Sequence, residues 1–317
     1  MGTRRAVALA LALTLGACTG PVAAPPPPPP PPAAPSPASP SPTTLREARY
    51  PVGVRILYLQ RGPARPLPTY LFYPSIGGAT ASGGGAQGAG GHGAGGHGAT
   101  RGAVGSAAPA PVDNAVPAAG RFPLVLFSHG LTGSPERYAI ALADWAAAGF
   151  VVAAPRYPYT NRYARPFRRA DIVNQPADAR YVIERVRRLD ITRGDPLRAR
   201  IDRDRVAAVG HSAGGYTTTG LFTAGHDPRL RSAVIMAGWQ APGAFAGPPA
   251  EMLFLQGTAD PIVPVSMSRA VYARVPWTKA YILLKRESHG TYLRPGSPGY
   301  RKMRGAVVNF LRRTLHR

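Results

Sequence analysis

The stretch Val206-Ala-Ala-Val-Gly210-His211-Ser212-Ala213-Gly214-Gly215 decides the reading of this chain. It is Gly-x-Ser-x-Gly directly after an apolar run and directly before a segment with helical spacing at about 213–223. A strand that turns sharply into a helix there strains the backbone at the central serine and lifts its hydroxyl out of the turn. Glycines on either side let neighbouring segments approach closely. In open α/β sheets such a serine stands at the carboxyl end of its strand, where sites are built. Ser212 is therefore the candidate nucleophile.

Serine is a weak nucleophile at neutral pH and needs a base. The chain has seven histidines. His92 and His97 lie in a glycine tract, and His211 is inside the turn itself, on the opposite side from the serine. His129 follows a strand, where an oxyanion loop belongs, His226 follows the helix after the turn, and His316 is in the tail. That leaves His289, in Lys285-Arg-Glu-Ser-His-Gly-Thr-Tyr-Leu293, late in the chain as a serine–acid–histidine order requires. Asp260, in Gln256-Gly-Thr-Ala-Asp-Pro-Ile-Val-Pro264, is the candidate acid that fixes the imidazole's tautomer. Asp227 is its rival, at the wrong side of the sheet. Oxyanion donors are expected from the backbone N–H of Ala213, at a helix N-terminus, and of Leu131, in Ser128-His-Gly-Leu-Thr-Gly133.

The surrounding pattern is that of a doubly wound α/β domain. Apolar or β-rich runs at 54–59, 69–73, 124–128, 150–154, 205–210, 233–236, 252–256 and 280–284 read as strands, the first two as an antiparallel pair. Helical spacing at 136–148, 177–189, 266–274 and 299–315 alternates with the later strands, which implies a mainly parallel sheet. Only a short connection separates the strand ending at Met236 from that starting at Met252, so no large cap is expected over the site. Trp239, in that connection, is a candidate acyl-pocket wall, and His211 a second substrate-side residue. Residues 155–170, rich in Tyr and Arg, read equally as the alcohol-side wall or as a plain surface loop.

Motif order and wording resemble the α/β-hydrolase superfamily. Pro123–Tyr138 (PLVLFSHGLTGSPERY), GFVVAAPRYP, NQPADARYVIERV, VGHSAGG, QGTADPIVP and SHGTY follow one another as they do in bacterial relatives of dienelactone hydrolase, in platelet-activating-factor acetylhydrolases and in cutinase-like polyesterases. The resemblance covers about residues 50–74 and 121–315. It implies hydrolysis of carboxylic esters through an acyl-enzyme, without a metal or other cofactor. Serine stands where dienelactone hydrolases carry cysteine. A peptidase or thioesterase on the same triad is the alternative enzyme reading.

Composition frames the domain. The chain has 317 residues, with 37 Gly, 37 Pro and one Cys. One cysteine excludes an intramolecular disulfide and a cysteine-rich zinc site. Residues 21–42 hold 13 prolines and residues 77–105 hold 14 glycines. Neither tract has the apolar side chains that repay ordering. The expected organisation is a signal over 1–18, a Pro-rich tether over 19–48, and one hydrolase domain over 49–317 with a Gly-rich insertion at about 75–120. Arg4 and Arg5, the apolar run Ala6–Leu15 and Leu15-Gly-Ala-Cys18 form a secretory signal that resembles a bacterial lipobox. Ten helical residues span only ~15 Å, too short for a ~30 Å hydrocarbon core. The resemblance makes Cys18 the lipidated residue and the protein an exported, membrane-anchored one.

The formal charge is +23, from 38 Lys+Arg against 15 Asp+Glu. Arginine supplies 35 of those 38. No nucleic-acid motif accompanies the excess, so nucleic acid is not an expected partner. Attraction to anionic envelope polymers is the binding alternative.

Overall fold

The computed structural model describes residues 49–79 and 110–316. All of them fall within the unit Arg46–Arg317, whereas the unit Met1–Leu45, with Cys18, the signal and most of the tether, lies outside the described residues. His92 and His97 lie outside them too.

The chain order is β1 (Val52–Gln60), β2 (Pro66–Ala79), β3 (Val112–Asp113), β4 (Ala115–Pro117), β5 (Phe122–Ser128), α1 (Ala139–Ala147), β6 (Val151–Pro155), α2 (Gln175–Leu189) and β7 (Ile201–His211). There follow α3 (Ala213–Gly220), β8 (Leu230–Met236), β9 (Glu251–Gly257), α4 (Val265–Arg274), β10 (Lys279–Leu284) and α5 (Tyr300–Leu315). Short 3₁₀ turns stand at Pro135–Tyr138, Arg169–Asn174 and Thr291–Leu293.

The strands form one sheet in the order β10-β9-β8-β7-β5-β6-β2-β1-β3, with β4 on β2. β5 to β10 pair in parallel, and β2 joins them antiparallel to β6. This is the mainly parallel, doubly wound architecture expected of an α/β-hydrolase. β5 and β6 are buried along their whole length, as strands covered on both faces must be. α1 and α5 pack on one face through Leu142, Trp145, Val307 and Leu311. α2 and α4 pack on the other through Val182, Val186 and Val271.

Two expectations change. The sheet has ten strands among the described residues rather than about eight, and the insertion is narrower than 75–120. Ser75 pairs with Pro117 and Ala79 with Ala115, and Val112 pairs with Gly53. Small and polar residues there form strands because a neighbour supplies their hydrogen bonds, not because their side chains demand burial. Between β8 and β9, residues 237–250 contain no helix, so no cap domain stands at that point.

Candidate active site

The turn from β7 into α3 has the strained geometry expected of it. Ser212 has φ 58° and ψ −121°, outside the helical and extended regions, and its N–H donates to Met236 O at 2.9 Å. For a residue with a Cβ such a backbone is costly and persists only when its surroundings fix it. Close packing does this. A Cβ on Gly210 would overlap the Gly214 carbonyl, and one on Gly214 would overlap the Ser128 carbonyl. The two glycines thus let α3 press onto β7 and β5.

Asp260 follows β9, and its carboxylate is fully enclosed. Oδ1 accepts the N–H groups of Ile262 and Val263, each at 2.9 Å, and Oδ2 accepts Gln256 Nε2 at 3.0 Å. Burial alone raises its pKa, but these backbone donors and His289 outweigh it and hold the group below the ordinary carboxylate value. Oδ2 lies 2.8 Å from His289 Nδ1. An ionised carboxylate can only accept, so Nδ1 carries the proton and Nε2 is left to act as a base. The loop bearing His289 is pinned by Glu287, which accepts Gly299 N–H at 2.6 Å and the Thr291 hydroxyl.

Ser212 and His289 line one cleft of about 560 Å³, together with Leu131, His211 and Trp239. Asp260 joins this group through its bond to His289. Ala213 opens α3 beside Ser212. Neither its N–H nor that of Leu131 has an internal acceptor among the described residues. Trp239 packs its ring 5.9 Å from Tyr216 and shows another part to the cleft.

The remaining histidines sort as expected. His129 is buried with both nitrogens occupied. Tyr157 N–H donates to its Nε2 at 3.2 Å, so Nδ1 carries hydrogen and donates to Gly130 O at 2.8 Å. Burial pushes its pKa down to about 4. His226 bonds Ala246 O and packs on Phe222 and Trp277, and His316 packs on Phe150. Asp227 pairs with Arg229, away from the cleft. His211 is more involved than its place in the turn suggested. Its ring lies 4.7 Å from that of His289, its Nδ1 is 3.2 Å from Tyr138 Oη, and burial pushes its pKa down to about 3. It is a neutral backing for His289.

The 155–170 segment is part buried, through Tyr157, Thr160, Asn161 and Ala164, and part exposed surface. Tyr157 Oη bonds Ser128, Tyr159 Oη bonds Ala64 O, and Arg156 stacks on Tyr70 and Tyr163. Only Arg169 reaches the cleft wall. Arg137 and Arg294 also line the cleft. In a chain with 35 arginines no pattern distinguishes them.

The platelet-activating factor acetylhydrolase of Canis lupus familiaris is 28% identical over 162 residues, 38% of this chain and 36% of the relative. That of Bos taurus is 26% identical over 164 residues, again 38% of this chain and 36% of the relative. The chain thus matches little more than a third of these relatives' length. A family model described as PET hydrolase-like covers residues 116–315, from β4 to the end of α5. By that match, the chain belongs to the PET hydrolase-like family of the α/β-hydrolase superfamily.

Proposed function

We propose that the protein is a serine hydrolase of carboxylic esters acting through an acyl-enzyme. The observation that carries the reading is that His289, its Nδ1 bonded to the enclosed Asp260, lines one cleft with a strained Ser212. Family membership and the names of the two acetylhydrolase relatives support the ester class.

In this reading Ser212 Oγ attacks the acyl carbon while His289 Nε2 takes its proton. The tetrahedral oxyanion receives the N–H groups of Ala213 and Leu131, each such donor contributing about 10²–10³ in rate. The intermediate collapses, and the leaving alkoxide takes the proton from His289. Water then gives a proton to His289 and attacks the acyl-enzyme. The acid is released and Ser212 recovers its hydrogen. Asp260 stays ionised throughout and holds the imidazole in place.

The test is hydrolysis of short 4-nitrophenyl esters by protein lacking residues 1–48. Ser212→Ala is expected to lower kcat by at least about 10⁴-fold with an unchanged melting temperature. Undiminished turnover in that variant overturns the assignment.

Export and lipid attachment at Cys18 are part of the same proposal. They rest on the basic start, the short apolar run and the lipobox-like Leu15-Gly-Ala-Cys18.

A further inference from the structure

The cleft wall holds three arginines, Arg137, Arg169 and Arg294, and no carboxylate among the described residues. All three are exposed, and no hydrogen bond or ion pair of their guanidinium groups is present among the described residues. Overall composition does not account for this, because each has an acid close by in its own segment. Glu136 precedes Arg137, but it is held by Arg156 and by Tyr70 Oη at 2.6 Å. Asp171 follows Arg169 by two residues, but takes the Arg65 guanidinium on both oxygens, at 2.8 and 2.9 Å. Glu287 lies in the loop before Arg294, but is turned to Gly299 N–H and Thr291. The carboxylate nearest the reacting atoms, Asp260, is spent on His289 and backbone donors. Every local acid has been assigned elsewhere, and the three guanidinium groups face the cleft uncompensated.

The opposite character is also present. Ile262 and Met267 are exposed large apolar side chains on the same cleft, beside Val263 and Trp239. A neutral ester uses that apolar wall and leaves the arginines to water. A ligand with an apolar body and an oxyanion uses both, since a guanidinium matches carboxylate or phosphate with two parallel donors.

We propose that the preferred substrates are esters that carry a second, anionic group, carboxylate or phosphate, on an apolar body. This deepens the hydrolase reading and rests on it. A cleft lined by one sign of charge concentrates ligands of the other sign and raises productive encounter. The preference must fall with added salt, because exposed charges are screened.

The experiment compares matched esters at low ionic strength. On the alcohol side the pair is 4-acetoxybenzoate and its methyl ester, and 4-acetoxyphenyl phosphate replaces carboxylate by phosphate. On the acyl side the pair is mono-4-nitrophenyl glutarate and 4-nitrophenyl valerate. The wild type is expected to favour the anionic member of at least one pair by about tenfold or more in kcat/KM. Arg137→Gln, Arg169→Gln and Arg294→Gln combined should bring that ratio close to one. Arg188→Gln, Arg193→Gln and Arg198→Gln remove the same net charge from the segment leading into β7, roughly 30 Å along that strand from Ser212. They should leave the ratio as it was. A wild-type ratio of one or less in both pairs overturns the proposal, as does a ratio that survives loss of the three cleft arginines or falls equally in the control. Binding of 4-acetamidobenzoate against its methyl ester, by calorimetry, reads the same preference without turnover. If no ester is hydrolysed yet this binding preference depends on the cleft arginines, the hydrolase reading fails and the anion site stands.

Discussion

At the scale of single residues, the triad candidates were legible because their chemistry imposes an order along the chain. Gly210-His-Ser-Ala-Gly214 requires a strand before it and a helix after it, and Asp260 and His289 each follow a later strand. His211 shows what order alone does not reveal. Its side chain folds back against His289 and Tyr138, a contact made only when β7, the 3₁₀ turn at Pro135–Tyr138 and the His289 loop meet. Its burial has a consequence for stability. The unfolded imidazole takes a proton near its ordinary value of 6.5, whereas the native one resists until about pH 3. Between those values the unfolded state binds the extra proton, so stability falls as pH falls below about 6.5. His129, held down to about 4, acts in the same direction. The melting temperature should therefore decline from pH 7 to pH 4. His211→Gln, which can still bond Tyr138, should make that decline shallower without abolishing it. Equal slopes in the two proteins count against a buried neutral His211.

At the scale of elements, the eight strands read from apolar runs are all present, with ends shifted by a few residues. Such runs announce burial on their own. β3 and β4 do not, because Val112–Asp113 and Ala115–Pro117 owe their form to register with β1 and β2. β2 joins the amino-terminal antiparallel strands to the parallel part of the sheet. It covers β6 through the pairs Thr69↔Pro155 to Phe72↔Val152, and it buries Leu67, Leu71, Phe72 and Tyr73. At about 1.5–3 kcal/mol each, four such side chains contribute roughly 6–12 kcal/mol. That is comparable with the whole stability of a domain, about 5–15 kcal/mol. The family match begins at residue 116 and omits β2. A chain starting there would bare the edge of β6, which invites pairing between molecules. Protein of residues 116–317 should be aggregated or unfolded where residues 49–317 are soluble. A monomeric, cooperatively melting 116–317 would show that β2 is dispensable.

At the scale of the whole molecule, the signal and tether are read from composition, and a composition states what a segment cannot bury rather than where it goes. The lipid proposal at Cys18 is settled by labelling. In a bacterial host fed a radiolabelled fatty acid, the full chain should carry label in the membrane fraction and Cys18→Ala should lose it. Label retained by the variant removes Cys18 as the attachment point. Charge is the other molecular property. Asp144, Asp178, Asp190 and Asp260 have fully or almost fully buried carboxylates, while Arg137, Arg169 and Arg294 are exposed. With a formal charge of +23 on the chain, the cleft arginines are a local excess on a cationic background. Its counter-ion atmosphere is about 8 Å thick at physiological ionic strength. An anionic ester is thus drawn to the protein at large from afar, and distinguishes the cleft from the rest of the surface only at contact, where the apolar wall and the guanidinium groups act together.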